Sequence, residues 1–311
     1  MHFSIIIPTY NEEKNIVRTL DAIKVNVPSK YDYEVIVVDH GSTDQTVNLS
    51  RANNAKVYIH PEGTIGGLRN YGVKQSCGDI LVFLDADVLL TANWGKHIGD
   101  VENELSEGKR ILTGSWYSVP EDSKWIEKYW FSPLQHGGNT HINSGHLIIT
   151  RKLFDELGGF DEKLETGEDY DISMRAKAAG LHIIDDINLK VIHKGYPKSL
   201  VTFVKREYWH GKGDAESFKR FISSKVSVIG LLFVVLHVSL FVAIYTSHYC
   251  LAAALAVSII IIALGVSYIK YRKATLSTIL MNSLLYYCYF WARGASVLSL
   301  PGMRKMRKRT R

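Results

Sequence analysis

The sequence predicts an α/β front half, a mainly parallel sheet with helices on both faces, followed by two apolar helices of membrane-spanning length. Three observations carry this. Short apolar runs alternate with helix-period segments over roughly the first two hundred residues, as in sheets covered on both faces. Two uncharged stretches, 226–246 and 249–269, have 21 residues each. Charge is also split: residues 1–204 hold 28 acids and 21 Lys/Arg, and residues 205–311 hold 3 acids and 16 Lys/Arg. The net charge of +6 therefore describes neither half, and nucleic acid is not an expected partner. A hydrophobic fraction of 46% over 311 residues excludes disorder. Three cysteines (Cys77, Cys250, Cys288) exclude a disulfide scaffold.

In chain order, residues 3–8 read as a strand closed by Pro8. Residues 11–23 read as a helix with Ile16, Leu20 and Ile23 on one face, Asn11 as its cap and acids in its first turn. The continuous apolar run at 33–39 reads as a strand buried on both faces. The polar turn 40–44 opens a helix through Ala52, residues 56–60 form a third strand, 68–76 a helix, and 79–87 a strand ending in acids. Parallel sheets bind ligands at the carboxyl ends of their strands. The polar residues collect there: Thr9, Tyr10, Asn11 and Glu12 after the first strand, Asp39 and Asp44 after the second, Asp85 and Asp87 after the fourth.

Asp85 and Asp87 read two ways. Where the chain turns, both carboxylates can approach one hard divalent cation that carries a diphosphate. Equally, Asp is common at solvated strand ends. Glu168 and Asp169 open a segment with Ile172, Ala176 and Ala179 on one helical face. They are dipole partners of a first turn or a general base for an attacking hydroxyl. His193 ends an apolar run and reads as structural or as a ligand. Arg206, His210 and Lys212 read best as flanks of a membrane segment. Residues 114–141 are rich in aromatics, among them Trp116, Tyr117, Trp125, Tyr129, Trp130 and Phe131. They form a packed crossover or an acceptor site near the lipid interface.

Each 21-residue run would span about 30 Å as a helix, the thickness of the hydrocarbon layer. Ser247 and His248 make the hairpin between them. Lys219, Arg220 and Lys225 precede the first run, and Lys270, Arg272 and Lys273 follow the second. The positive flanks thus share one side, predicted cytoplasmic. No basic, apolar leader opens the chain, so the front half is expected in the cytosol too. Residues 279–300 place Asn282, Tyr286, Tyr289, Arg293 and Ser296 on one face. That predicts an interfacial or re-entrant helix, followed by a basic cytoplasmic tail over head groups. The expected divisions are 1–204, a juxtamembrane linker or helix at 205–225, two spanning helices in 226–269, and the interfacial helix and tail in 270–311.

The stretches IIIPTYNEEKNI, VIVVDHGSTDQT, GGLRNYGVKQSCGDILVFLDADV, NSGHLIITRKLFDELGGFDEKL and GEDYDISMRAKAAG, in this order and spacing, resemble family-2 glycosyltransferases of the GT-A fold over roughly residues 3–195. The resemblance implies transfer of a sugar from a nucleotide-sugar donor to an acceptor hydroxyl, with inversion and with Mg²⁺ or Mn²⁺. It implies Asp87 as the metal ligand, Asp85 at the ribose and the metal, and His193 as an additional metal ligand. Pro8, Thr9, Tyr10, Glu12 and Asp39 would form the base and ribose pocket. Arg69 would lie near the nucleotide, Asp169 would be the base, and Glu168 would help place the acceptor. His40 departs from the family's usual Asp or Asn. The Gln-x-x-Arg-Trp motif of processive synthases has only an echo in KREYW, which implies a single-addition enzyme on a lipid-linked or glycan acceptor. Polyprenyl-phosphate glycosyltransferases also combine this fold with a short membrane anchor, but usually carry Gln within the acidic motif. A nucleotidyltransferase and a non-catalytic membrane scaffold are the readings of other classes.

Overall fold

A computed structural model describes residues 1–132, 141–214 and 218–298. The chain divides into two units: Met1–Ser123 with Ser132–Tyr196, and Lys124–Phe131 with the chain from Pro197 onward. The division falls slightly earlier than the expected boundary at 204. It also assigns Lys124–Phe131, part of the aromatic segment, to the second unit.

The first unit begins β1 (Phe3–Thr9), α1 (Ile16–Asn26), β2 (Tyr33–Asp39), α2 (Thr46–Ala52), β3 (Lys56–Ile59), α3 (Ile65–Lys74) and β4 (Ile80–Leu84). It continues β5 (Val88–Leu90), α4 (Ala92–Ser106), β6 (Ile111–Gly114), β7 (Tyr117–Ser118) and β8 (His146–Thr150). α5 (Arg151–Glu156), α6 (Glu168–Ala178), β9 (His182–Asp185) and β10 (Val191–His193) complete it. Seven strands form a sheet ordered β3-β2-β1-β4-β8-β6-β9, parallel except that β8 runs against both its neighbours. β1 and β4 are buried at every residue, as their unbroken apolar runs require. One face is covered by Phe154 and Phe160 packed on Phe83, with Ile172 and Ala176 of α6 in the same cluster.

The predicted strand 79–87 is interrupted. β4 ends at Leu84, the chain turns with Val88 N–H donating to Asp85 C=O (3.1 Å), and β5 joins a small second sheet ordered β5-β10-β7. The first helix starts later than its sequence suggests, at Ile16, with no acid in its first turn. Asn11 is not its cap: it sits at φ 55°, and its side-chain oxygen accepts from Thr43 N–H (2.9 Å). Ile16, Thr19, Leu20 and Ile23 form the buried face.

The second unit contains a π-helical turn (Glu127–Phe131), α7 (Leu200–Asp214), α8 (Phe218–Ser223), α9 (Lys225–Tyr245), α10 (Tyr249–Tyr271) and α11 (Leu276–Val297). α9 and α10 are long and apolar enough to cross a membrane and match the predicted runs within two residues. Ser247, at φ 57°, turns the hairpin. These helices turn their large apolar residues outward: Leu232, Val238 and Phe241 of α9 and Leu251, Ile260 and Ile261 of α10 are exposed. Small residues face inward, Gly230 and Ala243 on α9, Ala252 and Ala263 on α10. α11 repeats the pattern. The predicted polar face holds, but protein covers it: Asn282, Tyr286 and Ser296 are buried, while Leu280, Leu284 and Trp291 are exposed. Trp130 accounts for the placement of Lys124–Phe131, since its ring packs on Phe203, Tyr286 and Tyr289. The basic tail lies outside the described residues, as do residues 133–140 of the aromatic segment and residues 299–300.

Gly72 brings α3 onto the sheet. A Cβ there would stand 2.5 Å from Ile6 Cγ2 and 3.1 Å from Val38 Cγ2. Gly72→Val is expected to destabilise the first unit by about 1–3 kcal/mol through overpacking, read as a lower urea midpoint at unchanged slope.

Candidate active site

The parallel register sets Thr9 beside Asp39 at the ends of β1 and β2. Asp39 is fully buried and spends both oxygens inside the protein. Oδ1 accepts from the N–H groups of Gly41 (3.0 Å) and Ser42 (2.7 Å). Oδ2 accepts from Thr9 Oγ1 (3.0 Å) and from the Ser42 hydroxyl. Asp39 therefore shapes the loop after β2, and its carboxylate is not open to a ligand. The loop after β1 is stitched to it: Asn11 N–H donates to Ser42 Oγ (2.8 Å) and Glu12 N–H to Thr46 Oγ1 (2.7 Å). Pro8 and Thr9 are buried, whereas Tyr10 is exposed, its ring edge-on to His40. Of the predicted donor-pocket residues, Tyr10 and Glu12 are the ones with open side chains.

Arg69 on α3 is 1% exposed. Its guanidinium donates to Glu168 Oε1 (2.9 Å) and to Asp85 Oδ1 (2.7 Å). Burial works against its charge, but Asp85 and then Glu168 more than offset that, so Arg69 is held firmly protonated. Ser144 Oγ also donates to Glu168 Oε1 (2.7 Å). On the other side of Asp85, Tyr117 OH lies 3.2 Å from Oδ2 and donates to Asn143 Oδ1 (2.5 Å). Burial and the Asp85 charge keep Tyr117 a neutral phenol. Gly145 makes room for this pair: a Cβ there would lie 2.0 Å from Tyr117 Oη and 2.1 Å from Asp85 Oδ2.

Asp87 is brought to His193 by the small sheet, in which Val88 pairs with His193. His193 Nε2 stands 3.4 Å from Asp87 Oδ1, and the imidazole is stacked on the Tyr117 ring (4.8 Å between centroids). Tyr117 thus touches Asp85 with its hydroxyl and His193 with its face, which gathers Asp85, Asp87 and His193 around one phenol ring. A Cβ on Gly195 would come 1.7 Å from Asp87 Oδ2, so only glycine fits there. Glu12 reports the crowding of charge. Burial raises its pKa to about 6 against the lowering effect of its Asn15 hydrogen bond, and the charges of Asp87, Asp85 and Asp44 add to the rise. Two carboxylates and one imidazole, with backbone pressed close, fit a hard divalent cation such as Mg²⁺ or Mn²⁺.

Asp169 opens α6 after Gly167, which adopts φ 81°. Its Oδ1 accepts from Tyr170 N–H (2.7 Å). Its pKa is pushed up to about 7, first by burial and then by Glu168, which suits a group that takes a proton near neutral pH. Asp169 and Asp85 are linked through Glu168 and Arg69, so the candidate base and metal ligands belong to one network. Sequence reasoning assigned no role to Ser144, Asn143, Gly145 or Gly195, and read Tyr117 only as one aromatic of a rich segment. The first three sit in the NSGH stretch. His146, in the same stretch, is structural. It accepts from Trp94 Nε1 (2.9 Å), and burial lowers its pKa to about 3.

A family model described as glycosyl transferase family 2 matches residues 4–159. The glycosyltransferase AglE of Haloferax volcanii is 28% identical over 226 residues, 68% of this chain and 73% of that protein. The amylovoran biosynthesis glycosyltransferase AmsB of Erwinia amylovora is 27% identical over 58% of this chain and 66% of its own length. Some other relatives are matched over only 33% of their length. The solved mannosyltransferase PcManGT of Pyrobaculum calidifontis, in complex with GDP-Man and Mn²⁺, superposes with a TM-score of 0.58 at 17% identity, covering 95% of this chain and 86% of that one. The fold is therefore shared.

Arg69→Met leaves Glu168 buried with no cation opposite it. The expected cost is about 3–5 kcal/mol, measured by urea unfolding, with sugar transfer lost even in protein that remains folded.

Proposed function

The chain belongs to glycosyl transferase family 2, and from that membership we propose that it is a membrane-anchored, inverting, metal-dependent transferase acting on a lipid-linked acceptor. The supporting observation is the Asp85–Arg69–Glu168 chain of ion pairs, which fixes a metal-side carboxylate relative to the base Asp169. The donor is a nucleotide-sugar, with its nucleoside at the exposed Tyr10 and the loops after β1 and β2. Asp87, Asp85 and His193 hold the cation, and when bound it supplies Lewis-acid charge to the departing diphosphate. Asp169 accepts the proton of the acceptor hydroxyl as its oxygen bonds to the anomeric carbon and the bond to the diphosphate breaks. Glu168 is engaged as a hydrogen-bond acceptor by Arg69 and Ser144, so it helps place the acceptor through its neighbour Asp169. Arg69 and Asp39 are positioning residues.

The acceptor class rests on the second unit. Helices with exposed apolar faces and buried small residues are built for lipid surroundings, and an enzyme held at a bilayer meets lipid-linked hydroxyls or phosphates there. The flanking lysines and arginines favour a cytosolic first unit by the positive-inside rule. Cell-envelope glycan synthesis suits both features. A polyprenyl phosphate is the alternative acceptor, distinguished by running the same assay with either lipid.

Full-length protein with Mn²⁺ and a panel of nucleotide-sugars should release nucleoside diphosphate in the presence of membrane lipid extract. Asp87→Asn and Asp169→Asn should each abolish release, and a panel with no turnover would refute the assignment. The pH dependence follows from the raised Asp169 pKa. The base is protonated below about 7, so kcat/KM should rise through that pH and level off above it. Stability has the opposite sign. A carboxyl whose folded pKa exceeds its unfolded value costs stability once ionised. Asp169→Asn should therefore raise Tm at pH 8, with the difference vanishing below pH ~4, where Asp is protonated in both states. In a background lacking the native cysteines, Ser247→Cys should react with a membrane-impermeant maleimide from outside intact cells.

A further inference from the structure

At the amino ends of the central strands, one seven-residue strand length or about 20 Å from the proposed reaction centre, an imidazole, a carboxylate and a thiol converge. His2 immediately precedes β1, Glu34 is the second residue of β2, and Cys77 comes just before β4. The register pairs Phe3 with both Tyr33 and Ile80, which brings these three chain segments to one edge. Cys77 Sγ is 3.7 Å from His2 Nε2, and His2 Nε2 is 3.8 Å from Glu34 Oε1. All three donor atoms lie within 4.8 Å of one another.

We propose that His2, Glu34 and Cys77 form a zinc site, separate from the reaction centre, with a coordination position open to solvent. Four features carry it. First, the spacing fits. Zn–S of about 2.3 Å and Zn–N of about 2.0–2.1 Å give tetrahedral edges of roughly 3.3–3.6 Å, close to the separations present. Second, His2 Nδ1 lies 2.8 Å from Asp32 Oδ2. A carboxylate only accepts, so Nδ1 is the donor to Asp32, and Nε2 is the nitrogen left to face the sulfur and an ion. Carboxylate–histidine pairs orient zinc ligands in this way. Third, Glu34 is held in place, its Oε1 accepting from Ser4 Oγ (2.7 Å) and Cys77 N–H (2.7 Å), which leaves Oε2, now paired with Lys56 Nζ (2.8 Å), as the oxygen an ion would take. Fourth, His2, Glu34 and Cys77 line an open groove of about 620 Å³ that also borders Asp32 and Lys56, where water completes the shell. Thiolate, imidazole and carboxylate together select Zn²⁺ over Mg²⁺ or Mn²⁺. Lys56 is the cation opposing the ion, and its side chain is mostly exposed and free to swing away.

Cobalt(II) tests this directly, because thiolate ligation gives a near-ultraviolet charge-transfer band. Chelator-stripped full-length protein without a histidine tag should develop that band with one equivalent of Co²⁺ and lose it on adding Zn²⁺. Cys77→Ser should remove the band, although Cys250 and Cys288 remain. His2→Ala should weaken Zn²⁺ binding at least tenfold, and Asp32→Asn by about 10–100-fold. Lys56→Ala should tighten it, a gain that misfolding would not produce. Asp87→Asn should leave the band intact. The site is refuted by the absence of a thiolate band, by a band that survives Cys77→Ser, or by one that depends on Asp87.

Discussion

Arg69 lies between two carboxylates contributed by distant parts of the first unit, and the candidate site is organised around it. Asp85 follows the fourth strand, and Glu168 opens a helix more than eighty residues later. A planar guanidinium in a dry setting meets both with charge-assisted hydrogen bonds. Glu168 could not be buried there without it, because an unpaired carboxylate in such surroundings would withdraw or change its charge. With it, the turn after β4 and the first turn of α6 keep a fixed separation. Asp169 inherits its place from that clamp, as the next residue along the helix.

The clamp also distributes charge. Glu168, tied to Arg69 and Ser144, remains an acceptor, and its negative field and the local burial raise its neighbour Asp169 towards neutrality. Two adjacent carboxyls thus have different surroundings, one paired with a guanidinium and one not. On the other side, Asp85, Asp87 and Glu12 crowd negative charge into one region, which a bound divalent cation would relieve. Tyr117 separates these two electrostatic settings. It is a neutral phenol that touches Asp85 through oxygen and His193 through its ring face, and close glycine backbone on both sides prevents the carboxylates from relaxing outward.

The second unit follows the inverse of soluble packing. Its helices bury small and polar residues such as Gly230, Ala243, Ala263, Ser267 and Asn282 beside an aromatic seam of Phe233, Tyr286 and Phe290, and expose Leu232, Val238, Phe241 and Ile261. Gly230 and Gly294 bring α9 and α11 so close that a Cβ on either would overlap the other's backbone. Van der Waals contact between small residues is what drives helices together where lipid already satisfies the apolar surface. Glu207, buried on α7, is met by Arg206 and by Arg293 of α11. The arginine on the predicted polar face of α11 therefore serves an internal ion pair.

The residues alone determined the alternation of strand and helix, the two spanning-length runs, and the clustering of polar side chains at carboxyl strand ends. These follow from period, length and local turn chemistry, which act over a few residues. The family pattern added names for the acids. Local sequence misplaced the start of the first helix, because Asn11 has cap-like chemistry but is claimed by Thr43 from another loop. It gave Asp39 an open carboxylate, which four hydrogen bonds from its own loop and from Thr9 close. It could not see Tyr117, Gly145 or Gly195, whose importance lies in what a side chain hundreds of atoms away occupies. Nor could it see that the Arg69 guanidinium pairs with both Asp85 and Glu168. Those facts belong to the tertiary structure, since a buried charge is defined by its partners, and partners distant in sequence meet only when the sheet forms.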